Sequence, residues 1–310
     1  MILGGIKTLV RQLCPPLIFA PARRFYRNLP WKKNPGRVFD DGFEGWGMMT
    51  AHSPPWADAT IAGERLEQDY LAAQAQLEVM LGDGTFRMSS LGGASPASVL
   101  TTIRGLLWRH YVVSWSVDYA MRNTVCAERN LAECGVCDGL TMYFAINSAS
   151  RSNPSCRAYL YDAWEGMRQQ YLLASEIKNA GEYAYLDVEN AKRNLTAYAS
   201  RLVFNKGFVP DSFATANNPP LLAWLHIDLN SAKPTIGALE FFYDRIAAGG
   251  IILFDDYAWR DYEDTRIMVR KWLQAKEGFL LPLPTGQAIF FKGNRAAGTK
   301  AAPATPMQAP

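Results

Sequence analysis

Three aspartates stand where short apolar runs end: Asp228 after Leu221–Ile227, and Asp255 and Asp256 after Ile251–Phe254. If those runs are neighbouring parallel strands, about 4.8 Å apart, their terminal carboxylates can converge on one point. Carboxylates that close repel one another unless a counter-charge is supplied. A hard cation such as Mg²⁺ would supply it, taking oxygen ligands while keeping positions for waters or substrate oxygens. The alternative is that Asp255-Asp256 merely cap a turn, with successive side chains facing opposite ways. Upstream, Glu133-Cys134-Gly135-Val136-Cys137-Asp138-Gly139 places glycines where a strand would turn into a helix, and such glycines let a backbone approach a ligand closely. The spacing is G-x-x-x-G and lacks the dinucleotide fingerprint G-x-G-x-x-G. Asp162 ends the next apolar run, at a distance suited to a carboxylate that accepts bonds from ribose hydroxyls. Glycine turn, helix, strand and acid in that order serve an adenosine-containing ligand. Taken singly, the turn could bind nothing and Asp162 could be a solvated loop aspartate.

These residues need elements to position them. Ala62–Leu81 has helical periodicity and strong helix formers. A Ser/Gly-rich loop at 89–95 precedes a second helix over Ala97–Tyr111 that continues toward Arg122. From there apolar strands alternate with helices. The strands read as Asn130–Cys134, Arg157–Tyr161, Arg201–Phe204, Leu221–Ile227 and Ile251–Phe254, the last entered through a turn at Gly249-Gly250. Helices are expected from Leu140, over Asp187–Ser200, over Thr235–Ile246 and over Asp264–Glu277. Phe279–Lys292 reads as a closing antiparallel pair around Pro284-Thr285-Gly286. Alternation of this kind means βαβ units and a mostly parallel sheet. In an open sheet, ligands bind outside the carboxyl ends of the strands, which is where these acids and glycines fall.

The 310 residues divide into a basic amphipathic stretch at 1–33, a mainly helical cap or substrate region at 34–120, an α/β core at 121–293 and a low-complexity tail at 294–310 expected to be disordered. A net charge of +3, without a domain-wide basic stripe, gives no reason to expect nucleic acid. The five cysteines are odd in number and irregular in spacing, which fits a reducing cytoplasm and no disulfide framework. Cys134 and Cys137 form a C-x-x-C without a second pair at zinc-site spacing. Near the N-terminus the apolar stretch is broken by Pro15-Pro16 and is too short to span a bilayer. The arginines and lysines after it would suit weak contact with the inner membrane face. Docking on the protein's own surface suits them equally.

A linked set of motifs carries more. Glu133–Gly139 with Thr141, then Tyr161-Asp162-Ala163-Trp164-Glu165-Gly166-Met167, then Lys206-Gly207-Phe208-Val209-Pro210-Asp211-Ser212 occur in order, followed by Leu225-His226-Ile227-Asp228, Pro234-Thr235 and Gly249–Tyr257. Over roughly Leu106–Lys292 the chain resembles the macrocin O-methyltransferase family, which methylates sugar hydroxyls of macrolides and related glycosides. The resemblance implies a Rossmann-like class I methyltransferase: a mostly parallel seven-stranded sheet, helices on both faces and an N-terminal helical cap. It implies S-adenosylmethionine rather than NAD, with Glu133, Gly135, Gly139 and Thr141 around the methionine end and Asp162 on the ribose. Gly207 and Phe208 would border the adenine. Mg²⁺ would be held by Asp228, Asp255 and Asp256, and the acceptor would be a small molecule or a glycan. Many members carry a second acid two residues after the first metal ligand; here that residue is Asn230, whose amide is no base. The proton would then pass to a metal-bound Asp such as Asp228, to water, or to His226, which otherwise reads as a core residue of its strand. A nicotinamide-dependent oxidoreductase and a non-catalytic glycan- or partner-binding module are the rival readings. A homo-oligomer would be compatible with either.

Overall fold

A computed structural model describes residues 65–92 and 94–293. The basic stretch at 1–33, the first part of the cap region and the tail at 294–310 lie outside the described residues. Among the described residues, no helix is long and apolar enough to cross a membrane.

Among the described residues, three helices precede the sheet: α1 (Arg65–Asp83), α2 (Pro96–Arg104) and α3 (Leu107–Asn123). The single helix expected from Ala97 onward is two. Ser95 caps α2 through a bond from the Ser98 N–H, and the chain breaks at Gly105-Leu106 before α3 begins. The αβ alternation follows: β1 (Leu131–Cys134), α4 (Leu140–Ser152), β2 (Ala158–Asp162), α5 (Val188–Asn194), β3 (Leu202–Lys206), β4 (Leu222–Ile227), α6 (Ala232–Phe242), β5 (Ile246–Phe254), α7 (Glu263–Leu273), β6 (Gly278–Pro282) and β7 (Ala288–Lys292). The sheet has seven strands in the order β3-β2-β1-β4-β5-β7-β6. The first five are parallel, and β7 runs antiparallel to both of its neighbours. Strand order reverses between β1 and β4, so the β1 and β4 ends flank the crevice where open α/β sheets take ligands.

Period-2 alternation sorts the strand residues into two layers. Leu131, Ala158, Leu160, Trp224, Ile251 and Leu253 pack with α1, α3 and α4 on one face. Ala132, Tyr159, Tyr161, Leu225, Ile252 and Phe290 pack with α6 and α7 on the other. α3 lies against α4, β4 and β5. It is fixed there by Trp224 Nε1 donating to Ser116 Oγ at 2.9 Å and Ser148 Oγ donating to the Ser114 carbonyl at 3.0 Å.

The sequence places a turn at Gly249-Gly250, leading into a short fifth strand. In the structure the strand begins at Ile246 and the glycines lie within it. Leu222 pairs with Ile246 while Trp224 pairs with Ile251, so β5 bulges here, with Gly249 at φ +78°. A Cβ on Gly250 would lie 2.7–2.9 Å from Ile246, Ala223 and Ala247 atoms. Glycine marks a bulge for the same reasons that it marks a turn, which is why the two look alike in sequence.

Candidate active site

The Glu133–Gly139 stretch is the β1–α4 turn. Gly135 and Gly139 have φ +89° and +86°, the left-handed region that favours glycine. A Cβ on Gly135 would stand 1.8 Å from the Asp228 carbonyl oxygen, so the glycine is what lets the ends of β1 and β4 touch. Gly139 precedes α4, whose first turn carries Thr141, buried like most of that helix.

Asp162, at the end of β2, accepts from the N–H groups of Val136 at 2.7 Å and Cys137 at 2.8 Å through one oxygen, and from Trp164 N–H at 2.7 Å through the other. Trp164 Nε1 donates to the Cys137 carbonyl at 2.9 Å, closing the same loop from the far side. The carboxylate therefore organises the turn, and its Trp164-bound oxygen retains a lone pair that can face a ligand. Asp138 is buried and accepts from Ser89 N–H, Ser89 Oγ and Asn190 Nδ2, each at 2.7 Å. It ties the turn to the segment after α1 and to α5. Burial pushes the Cys134 and Cys137 thiols well above their usual range, and both are free thiols. Gly207 and Phe208 follow β3. Phe208 stacks on Tyr171 with ring centres 4.8 Å apart, and the Arg168 guanidinium lies 4.4 Å from the Phe208 ring centre as a cation–π contact.

Asp228 and Asp255 follow β4 and β5 directly and do converge, as neighbouring strand ends should. His226 lies between them. One oxygen of each carboxylate and one His226 ring nitrogen fall within 4.8 Å of one another. The imidazole is fully buried: its Nδ1 pairs with Glu133 Oε1 at 3.0 Å and its Nε2 faces Asp255 Oδ1 at 3.7 Å. Glu133 and His226 are direct cross-strand partners in register. Burial lifts Glu133 to about 7. For His226 burial works the other way, but the nearby Asp255 carboxylate and the hydrogen-bonded Glu133 outweigh it and lift the imidazole to about 9. Burial and the charge of Asp255 raise Asp228 to about 6. Burial, with the charges of Asp228 and Asp255, pushes Asp256 well up. The Asp256 Oδ2 and His226 Nε2 atoms are buried without a hydrogen-bond partner.

Asn230 is a left-handed residue, φ +54°, in the turn after Asp228. Its carbonyl accepts from Tyr262 Oη at 2.7 Å and Tyr183 Oη at 3.0 Å, and its amide donates to Asp228 Oδ1 at 3.2 Å. It orients Asp228 and carries no proton away. Glu176, from the loop between β2 and α5, accepts from Ser231 Oγ at 2.7 Å and from Ala232 N–H at 2.9 Å, which caps α6.

One partner of the cluster has no counterpart in the strand-end reading. Arg109, in the first turn of α3, donates through Nη2 to Asp255 Oδ2 at 2.6 Å and to Asp228 Oδ2 at 3.0 Å. Its Nε donates to Asp255 Oδ1 at 2.9 Å. Gln287, just before the last strand, adds a donor to Asp255 Oδ1 at 3.1 Å. Neither residue stands near the aspartates in sequence, and neither lies in a motif.

A glycine turn capped by a strand-end carboxylate abuts a carboxylate cluster at the switch point of the sheet, and comparison with known proteins agrees on what that means. Residues 114–280 match the macrocin-O-methyltransferase (TylF) family. The chain belongs to this family. It is thus an S-adenosylmethionine-dependent O-methyltransferase, as the motifs imply. No curated protein matches it significantly by sequence. Among solved structures it is similar to the O-methyltransferase NovP, at 16% identity over 73% of this chain and 99% of that one, with a TM-score of 0.53. CalS11, a calicheamicin methyltransferase, aligns at 18% identity over 78% and 99% of the two chains, with a TM-score of 0.46. The likeness to NovP shows the shared Rossmann-like fold.

Proposed function

We propose that this family member methylates a hydroxyl of a sugar, in a glycosylated metabolite or a cell-surface polysaccharide. The observation that carries the reading is the close approach of Gly135 to the Asp228 backbone: the donor turn is in direct contact with the strand end that carries the acid. S-adenosylmethionine, when bound, supplies an electrophilic methyl group at the sulfonium. Glu133, Gly135, Gly139 and Thr141 would border its methionine end, and Asp162 would offer its remaining lone pair to the ribose. Gly207 and Phe208 would border the adenine, with the Phe208 ring held in place by Tyr171 and Arg168.

Asp228 is the proton acceptor in this reading. Its side chain is the more open of the two strand-end acids at 21% exposed, against 7% for Asp255. Asn230 and Arg109 hold its two oxygens, so the carboxylate meets an incoming hydroxyl in one orientation. His226, fully buried between Glu133 and Asp255, is walled off from an acceptor.

Mg²⁺ would suit this cluster by donor chemistry: Asp228 and Asp255 converge and offer hard oxygens, and Asp256, next to Asp255 in the chain, would add a third. When bound, Mg²⁺ would supply Lewis acidity at the acceptor oxygen.

Radiolabelled methyl transfer onto a panel of glycosylated metabolites and envelope glycans tests the proposal. Asp228→Asn should lower turnover by about 10²-fold or more while S-adenosylhomocysteine still binds. Binding of NADH with no binding of S-adenosylhomocysteine in calorimetry would return the oxidoreductase reading to the front. Binding of S-adenosylhomocysteine with no transfer to any glycan would favour a binding module or another acceptor class.

A further inference from the structure

The guanidinium of Arg109 sits where a bridging cation would sit. A cation shared by Asp228 and Asp255 must lie between their facing oxygens, and Nη2 already does, 3.0 Å from one and 2.6 Å from the other. The Nε–H closes a fork on Asp255, leaving that carboxylate with three Arg109 contacts and one from Gln287. A planar fork of donors matches carboxylate geometry, and a partly buried one holds its charge permanently. The side chain is only 14% exposed, so it has little room to lie elsewhere without leaving the site. A metal ion bound to the same two oxygens would need about 2.0–2.1 Å to each, which places it inside the van der Waals envelope of Nη2.

We propose that Arg109 is the built-in counter-ion of the Asp228–Asp255 cluster and that a divalent cation competes with it for one position. The cation binds only when the Arg109 side chain withdraws toward solvent. This rests on the reading of the cluster as a metal site, and it changes what that site is: one whose charge is already partly met by the chain. His110 beside it, whose Nε2 lies 3.4 Å from Arg109 Nη1, anchors the turn. Its ring is buried and stacked on Phe144 at 4.8 Å, so the backbone of the first α3 turn stays anchored while the long Arg109 side chain swings.

Direct binding of Mn²⁺, followed by electron paramagnetic resonance of the free ion, tests this without any turnover. Wild-type chain should bind Mn²⁺ weakly, and Arg109→Gln should bind it about tenfold or more tightly, because a like charge has been removed from the position. Arg109→Lys keeps the charge and loses the fork, and should fall between the two. Equal Mn²⁺ affinity for wild type and Arg109→Gln would overturn the competition while leaving the metal site standing. Absence of Mn²⁺ binding to all three proteins would overturn the metal reading and the competition with it. Should Arg109→Gln fail to fold, nitrogen-15 spectra of the wild-type arginine side chains decide the matter. The hydrogen-bonded Nε–H signal of Arg109 should move to a free-arginine position as Mg²⁺ is added; a Mg²⁺-saturated protein with that signal unmoved would overturn the proposal.

Discussion

Asn230 shows how much a single side chain can settle. In sequence it stands out as an amide where many relatives carry an acid. In the structure it is the hub of a small network, receiving two tyrosine hydroxyls and donating to Asp228. Its left-handed backbone is one that asparagine tolerates better than most residues. Asn230→Ala leaves two hydroxyls and one carboxylate oxygen short of a partner and adds backbone strain. The loss of stability should be about 1–3 kcal/mol, read from the midpoint of urea unfolding with the slope unchanged. Asp228, Asp255 and Asp162 are legible in sequence because each directly follows an apolar run, and the glycines because they punctuate strand-to-helix turns; strand ends are where parallel sheets gather function. Arg109 is not legible. It reaches Asp228 across 119 residues from a helix face, and no periodicity marks one arginine on an amphipathic helix as inward-facing. Tyr183, Tyr262, Glu176 and Gln287 are hidden for the same reason: they act from loops and a strand edge, where residue type alone says little.

At the scale of elements, the β1–α4 turn depends on space that only glycine leaves. Gly135→Ala must both hold φ +89° and displace the end of β4, so we expect a cost above about 3 kcal/mol and loss of S-adenosylhomocysteine binding. Gly82, near the end of α1, has open space where a methyl group would stand, with nothing within 4 Å, and no positive φ. Gly82→Ala should raise stability by about 0.5–1 kcal/mol, because helical alanine orders at less entropic cost. Paired chemical denaturation of the two variants separates a packing requirement from a general preference. The strand pattern itself is readable to within a residue or two, apart from the start of β5. The β5 bulge and the split of α2 from α3 both fall at glycines, where a break and a bulge have the same composition.

For the described chain as a whole, the boundary between helical cap region and core is the informative point. The sequence changes texture near residue 120, yet α3 is seated on the sheet by its apolar face, by Ser116 and by Arg109, and on α4 through Ser114. Such a helix should open with the sheet and not before it. Native-state hydrogen exchange should give the amides of Val113–Ala120 the same opening free energy as those of β4, within about 1 kcal/mol. Opening of α3 several kcal/mol below β4 would make it an appended cap after all. The hydrophobic pattern could not reveal this, because a helix that covers a sheet and one that covers a substrate both present a single apolar stripe.

Asp162 has a consequence for timing. Three backbone N–H groups are gathered by one carboxylate of the chain itself, and the indole of Trp164 clamps the same loop. Because these bonds are made within the chain, the loop does not need the ligand to complete them. Stopped-flow association of S-adenosylhomocysteine should therefore be a single phase whose rate rises linearly with ligand concentration; a saturating rate would mean that the loop orders on encounter.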